Sequence, residues 1–401
     1  MASSWLAAVS AGASSFGRIH AHCAIPSDRA NAPFPSSPPR APTHPRVNLT
    51  SNLLSCPSTI HSVHVCRRAD DAAPLAVKVV SLSSKADGGG TMVISAGSAS
   101  RIAAEVRALR ALDGTGGSIP TDDDDDDDVD ASRSLFPRFH DFYLAPSSSP
   151  VGGWDAHLVS SMCPGARDLR AYLRAARDRG RCGLPESQAR FYLAELAAAL
   201  HAVHTVARLA HGDVKPENVA VSSATGHISL VDFDLSTDLG DRGVQRVGSP
   251  AMDENCQKVG TRVVVAGTEA YMSPELIAGD PRDAASDWWE FAVVAYELVH
   301  GRVPFGSPKS RHPFSSRVHV ASARVHFPAA DEGGPDPALS EDMKGMIVAM
   351  TRRPAAGVWD RLGGWAELAH CGCFEGLTRV PRVAVPREDR WVTLPGDEWA
   401  T

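Results

Sequence analysis

Short apolar runs come first along this chain, and longer apolar-striped segments follow. "APLAVKVVSL" (Ala73–Leu82) is an apolar run of strand length interrupted by one lysine, Lys78. In "SASRIAAEVRALRAL" (Ser98–Leu112), Ile102, Val106 and Leu109 recur at helical spacing. Ser98 or Ser100 can cap that helix, and Asp113-Gly114 stops it. "FPRFHDFYLA" and "WDAHLVSSM" read as two strands joined through "PSSSPVGG". Pro185 to Ala210 predicts one long helix, and the strands "NVAVS" and "HISLVDF" flank "SATG". Leu235 to Val259 is polar and weakly periodic. From Ser286, "SDWWEFAVVAYELVHG" is apolar nearly all round, which predicts a helix buried on every side. "SEDMKGMIVAMTRR" predicts another helix. Strands precede helices, so the predicted class is α+β in two lobes with a cleft between them.

Composition fits that picture. Of 401 residues, 43% are hydrophobic and 22% charged, enough for an ample core. The formal charge of −7 comes from one place: Asp122–Asp128 is a run of seven aspartates, without which the chain balances. Charge therefore argues neither for nor against nucleic acid or membrane, and no nucleic-acid partner is expected. No apolar run approaches the ~18 residues of a membrane helix. Eight cysteines include only a C-x-C pair, Cys371 and Cys373, so a reducing compartment is expected. Residues 26–65 are dominated by Pro and Ser and read as a disordered insert. Residues 114–130 read as an acidic insert, and 377–401 as a short tail.

The chemistry gathers around "HGDVKPENVAV" (His211–Val221). Asp213 and Lys215 alone would make an ordinary surface pair. Asp232, at the end of "HISLVDF", changes that reading. An Asp and an Asn, Asn218, meeting at one point are hard oxygen ligands of the kind Mg²⁺ takes. A second Asp can accept a hydroxyl proton, and a nearby Lys can neutralise a transferring phosphoryl group. Lys78, alone in an apolar strand, needs a partner, which Glu105 on the next helix could supply.

These motifs, in this order, resemble a eukaryotic protein kinase over most of residues 73–376. "LAVK", Glu105, "HGDVKPEN", "DFD", "GTEAYMSPE", "SDWW" and Arg361 in "DRLGG" carry the resemblance. It implies a bilobal fold with a small β-rich N-lobe over 66–162 and a larger helical C-lobe over 163–376. It also implies a serine/threonine protein kinase using ATP and Mg²⁺. On that resemblance Lys78 holds the nucleotide phosphates and pairs with Glu105, and Asp213 receives the hydroxyl proton. Lys215 neutralises the γ-phosphoryl, Thr268 bonds to both, and Asn218 and Asp232 hold the metal. Asp287 braces the loop. Ser160 is the gatekeeper, with Ser161 and Met162 offering backbone bonds to adenine. "YELVHGRVPF" and "DFDLS" are similar to the AGC group and its plant branch. There Glu217 and Glu297 fall where arginines of a substrate are held, which implies protein substrates with Ser or Thr near basic residues.

Departures from the pattern raise the rival reading of a pseudokinase acting as a scaffold. "GASSFGRI" (Gly12–Ile19) resembles the glycine-rich phosphate loop, with Gly12 and Gly17 in place and Ser14 for the middle glycine. The same residues 1–25, acid-free and rich in Ala and Ser, also look like a transit peptide. A plastid location follows from that alternative, and a cytoplasmic or nuclear one from the first. Asp234 replaces a glycine. Gly212 replaces the arginine that would receive an activation-loop phosphate, and Val264 stands at the usual phosphosite. The expectation is a segment ordered without that contact, which Val264→Thr with Gly212→Arg would restore.

Overall fold

The structure is a computed structural model that describes residues 48–54, 61–67, 74–85, 92–94, 96–113, 135–147, 153–162, 166–239, 268–278, 282–305, 324–335, 338–352, 368 and 371–374. Gly12, Gly17, the seven-aspartate run, Val264, Arg361 and the tail lie outside these residues. The chain divides into two compact units. The first holds residues 1–103 and 141–159, and the second residues 104–140 and 160–401. The sequence reading kept 66–162 together, whereas this division gives 104–140 to the second unit.

The first unit is built on an antiparallel sheet. β1 (Asn48–Leu54), β2 (His61–Arg67) and β3 (Pro74–Ser81) follow one another, and β7 (Trp154–Ser161) and β6 (Phe139–Pro146) complete the order β1-β2-β3-β7-β6. β1 and β2 fall largely within the stretch read as disordered. Prolines and serines there mask "HSVHVCR", whose register against β3 pairs Val63 with Lys78 and Cys66 with Leu75. Cys66, Leu75, Val77 and Val159 form this unit's apolar cluster, with Val79 and Tyr143 against it. A small hairpin, β4 (Ser83–Lys85) with β5 (Met92–Ile94), precedes helix α1 (Ala96–Leu112). α1 begins two residues before the expected Ser98.

The second unit is mainly helical. β8 (Arg167–Asp168) leads into α2 (Leu169–Asp178), capped by the Asp168 carboxylate accepting the Ala171 N–H at 2.7 Å. α2 was not legible, because three arginines and an aspartate between Arg170 and Asp178 interrupt its buried stripe of Leu169, Tyr172, Leu173 and Ala176. α3 (Glu186–Ala202) ends sooner than the predicted Ala210. Its last turn widens into a π-turn over Val203–Ala207, and Arg208 takes a left-handed φ of 55°. β9 (Leu209–Ala210) then pairs with β12 (Thr237–Asp238), while β10 (Val219–Val221) pairs with β11 (Ile228–Leu230).

Helix α4 is short (Pro274–Ala278). Helix α5 (Ala284–His300) is buried along nearly its whole length, as the all-round apolar pattern predicts. A capping box of Asp283 and Ser286 starts it. α5 packs on α3 and on α6 (Glu341–Met350), and Trp288, Trp289 and Phe291 are almost wholly buried.

Gly301 ends α5 with φ 65°, its N–H donating to the Glu297 carbonyl at 2.8 Å. A Cβ there would lie 1.7 Å from the Cys182 carbonyl oxygen. Gly301→Ala should therefore add left-handed strain to a backbone collision and cost more than about 2 kcal/mol of stability. Denaturant unfolding of the two proteins side by side measures it, and an unchanged midpoint would show that the Cys182 turn yields freely.

Candidate active site

One buried carboxylate shapes the segment His211–Asn218. Asp287, on the first turn of α5, accepts the His211 N–H on Oδ2 at 2.7 Å and the Gly212 N–H on Oδ1 at 2.9 Å. His204 Nε2 lies 2.8 Å from Oδ2. Burial alone would raise the Asp287 pKa, but His204, together with His211 and Arg282, holds the carboxyl below its usual value. A second acid, Glu290, lies one turn further along α5 and accepts the Val214 N–H at 2.7 Å. Two side chains of one helix thus take three of four consecutive amides (211, 212, 214). The remaining one, of Asp213, points to His211 Nδ1 at 3.3 Å. With Nδ1 accepting, Nε2 carries the His211 proton and faces the Val231 carbonyl at 3.2 Å. Burial pushes the His211 pKa down, which keeps the ring neutral.

Held this way, Asp213 presents its carboxylate to a compact polar group. Thr268 donates to Oδ1 from its amide at 3.1 Å and from its hydroxyl at 2.8 Å. Lys215 Nζ donates to Oδ2 and to the Thr268 hydroxyl oxygen, the latter at 3.0 Å. Burial opposes the lysine's charge, yet Asp213, with Asp232 and Glu217 adding to it, lifts the Lys215 pKa above its ordinary value. Asn218 Nδ2 donates to the Asp213 carbonyl at 2.8 Å and to Oδ2 at 3.3 Å. Its amide oxygen is therefore the end turned away from Asp213. Asp232 has a left-handed φ of 67°. Such a backbone is uncommon outside glycine and, in Asp, concentrates at functional sites. Asp213, Lys215, Asn218 and Thr268 are thus brought together in one group.

Other expected residues are described each in its place. Lys78 is buried in β3, and Glu105 is buried on α1. The Ser161 N–H donates to the Arg138 carbonyl at 2.8 Å, and the Ser161 hydroxyl accepts the Arg138 N–H at 2.8 Å. The amide of Ser161 is thus committed within the chain, so the expected backbone bond to adenine does not come from that group. Met162 follows at the strand's end, half-buried.

Two expectations meet contacts that the sequence did not announce. Glu217 and Glu297 do converge, and the chain's own Arg170 lies between them. Gly212 has φ 89°, and a Cβ there would lie 2.7 Å from the Leu235 carbonyl and 3.1 Å from the Arg282 guanidinium. Arginine at 212 would strike backbone and side chain together, so it cannot simply supply a phosphate receptor. Arg282 is itself buried, with Nη1 3.3 Å from Glu290 Oε1. Sequence reasoning missed Glu290, Arg282 and Arg170. An acid in a helix that is apolar nearly all round was the available signal for Glu290, since such a group must be partnered.

A loop gripped by a buried helix acid, with Asp, Lys and Asn spaced as 213, 215 and 218, is the central part of a protein kinase. Residues 153–356, half of the chain, match the protein kinase domain, and the chain belongs to that family. It is 32% identical over 202 residues to the serine/threonine-protein kinase nrc-2 of Neurospora crassa, covering 48% of this chain and 30% of that protein. It is 30% identical over 269 residues to protein kinase PINOID of Oryza sativa subsp. japonica, covering 59% and 52%. With serine/threonine-protein kinase UCNL of Arabidopsis thaliana it shares 28% identity over 336 residues, covering 70% and 71%. The chain spans well under two thirds of several of these relatives: 30% of nrc-2 and 8% of human citron Rho-interacting kinase.

The site makes two predictions. Gly212→Arg, alone or with Val264→Thr, should lower stability and activity and give no phosphate-dependent gain, as thermal unfolding and activity before and after phosphatase will show. Glu290 is pushed up to about 8, by burial first, despite Arg282, with Asp287 and Asp213 adding to the rise. Its folded value exceeds its ordinary 4.5, so the folded chain holds the extra proton between them. Stability from this group is therefore full below about 4.5 and falls as pH rises through about 8. Glu290→Gln keeps an acceptor for Val214 and removes the titration. The stability gap should move in favour of the variant across that window and level off above it; denaturation at several pH values tests this.

Proposed function

We propose that this chain transfers the γ-phosphoryl group of ATP to serine or threonine hydroxyls of other proteins. The observation that carries the reading is the Asp213 carboxylate, cross-held by Lys215 and Thr268 beside Asn218. A carboxylate fixed by three neighbours is a preorganised acceptor for a hydroxyl proton. Lys215, a cation bonded to that acceptor, stands where negative charge on the transferred group would need neutralising. The AGC-like reading gains support from the similarity to PINOID and UCNL.

The residues suit a magnesium ion. Asp232 and the outward amide oxygen of Asn218 are hard oxygen donors, few enough to leave most of the shell to phosphate oxygens and water, as Mg²⁺ prefers. When bound, the ion would supply charge neutralisation at the nucleotide phosphates. On the family resemblance Lys78 is the residue for nucleotide phosphates. Among the described residues no helix is long and apolar enough to cross a membrane.

Asp213→Ala should lower kcat by about 10²–10⁴ while leaving nucleotide-dependent thermal stabilisation intact. Asp232→Asn should remove the Mg²⁺-dependent part of that stabilisation together with turnover. Phosphate incorporation into a serine/threonine peptide library is the direct measurement. Stabilisation by nucleotide with no incorporation into any peptide would instead identify a pseudokinase.

A further inference from the structure

Arg170, on the first turn of α2, gathers three polar groups from distant parts of the second unit. Its Nε donates to Glu217 Oε1 at 2.8 Å, and Nη1 donates to Glu297 Oε1 at 2.5 Å. Nη2 reaches the Tyr271 hydroxyl at 2.5 Å, Glu297 Oε2 at 3.1 Å and Glu217 Oε2 at 3.4 Å. Tyr271 in turn donates to Glu297. Burial opposes the guanidinium's charge, but the bonds from Glu297 and Glu217 outweigh it and hold its pKa above the ordinary arginine value. Burial and Glu297 push the Tyr271 phenol up, so it stays neutral.

Two carboxylates and a phenol arranged around one planar fork form a guanidinium-binding site, because the fork matches carboxylates two bonds at a time. The site adjoins the reacting group along two segments. Glu217 follows Asp213 in the same short loop, and Tyr271 closes the turn that starts at Thr268 through its N–H to the Thr268 carbonyl. It is open on one side: the Glu217 side chain is 40% exposed and Arg170 19%, against 5% for Glu297. Stability alone does not explain the arrangement, since a partly buried ion cluster of this kind is often no better than packed apolar residues.

We propose that Arg170 is a built-in occupant of a guanidinium subsite, and that it sets acceptor selectivity by excluding arginine of a protein substrate from that subsite. The selectivity claim rests on the phosphotransfer reading above; the occupancy claim does not. With Arg170 in place, a second cation meets carboxylates already satisfied and a guanidinium that repels it.

The test uses the full chain and its Arg170→Met variant, which keeps much of the stem and removes the fork. The probes are serine peptides carrying either arginine or norleucine, scanned along the positions flanking the serine. Binding is read by fluorescence anisotropy and turnover by kcat/KM. The wild type should not distinguish the two residues at any position. The variant should favour arginine at one position by about tenfold or more, the scale of a charge-assisted pair. No gain at any position in the variant, or a wild-type preference for arginine that the variant loses, overturns the proposal. A gain in binding without turnover in either protein leaves the occupied subsite standing and removes the phosphotransfer reading. If Arg170→Met unfolds without a cooperative transition, recovery of that transition by millimolar methylguanidine supports the emptied subsite, and no recovery overturns it.

Discussion

The site depends on a carboxylate with no access to water. Asp287 is fully buried, and an isolated ion in that position would be strongly unfavourable. The donors around it are two backbone amides and one imidazole. A buried acid satisfied by main-chain N–H groups fixes the path of that main chain, because each amide must point at a particular oxygen. The shape of residues 211–214 is therefore dictated from α5, some seventy residues later in sequence. Asp213 then faces Thr268 and Lys215 as a consequence of where its neighbours' amides point.

Glu290 extends the same logic and adds to it. Its bond to Val214 continues the grip of Asp287, and its other oxygen meets Arg282. Arg282 needs room beside residue 212, and a glycine at 212 provides it. Loss of a side chain at 212 is thus matched by gain of a buried guanidinium from elsewhere. The absence of an arginine at 212 is a packing fact of this chain before it is a regulatory one.

Apolar runs of strand length made β3, β6 and β7 legible, and the all-round apolar pattern made α5 legible. Asp213, Lys215, Asn218 and Asp232 were legible because their spacing lies within short segments. β1 and β2 were hidden by the prolines and serines around them, and α2 by the charges between its buried Leu169, Tyr172, Leu173 and Ala176. The end of α3 at Ala202 was hidden because the apolar pattern runs on past the π-turn. The acids on Arg170 were found, but not their occupant. Glu297 stands 127 residues from Arg170 in sequence, and nothing in either segment announces that they meet. Such pairings belong to tertiary structure, where local composition carries little signal.

The grip of α5 on the loop also bears on how the chain acquires its site. Every contact that shapes residues 211–214 from α5 spans about 75 residues of chain. Contacts of that separation carry a large loop-closure cost and form late, after local hairpins and helices have gained their own hydrogen bonds. The strand pair β10–β11, joined by a few residues, needs no such closure. A nascent chain released before α5 emerges can therefore hold its early strands and still have no working site. Because α5 is buried along nearly its whole length, its release would open the core of the second unit as well, so loss of the site and loss of that unit's packing coincide.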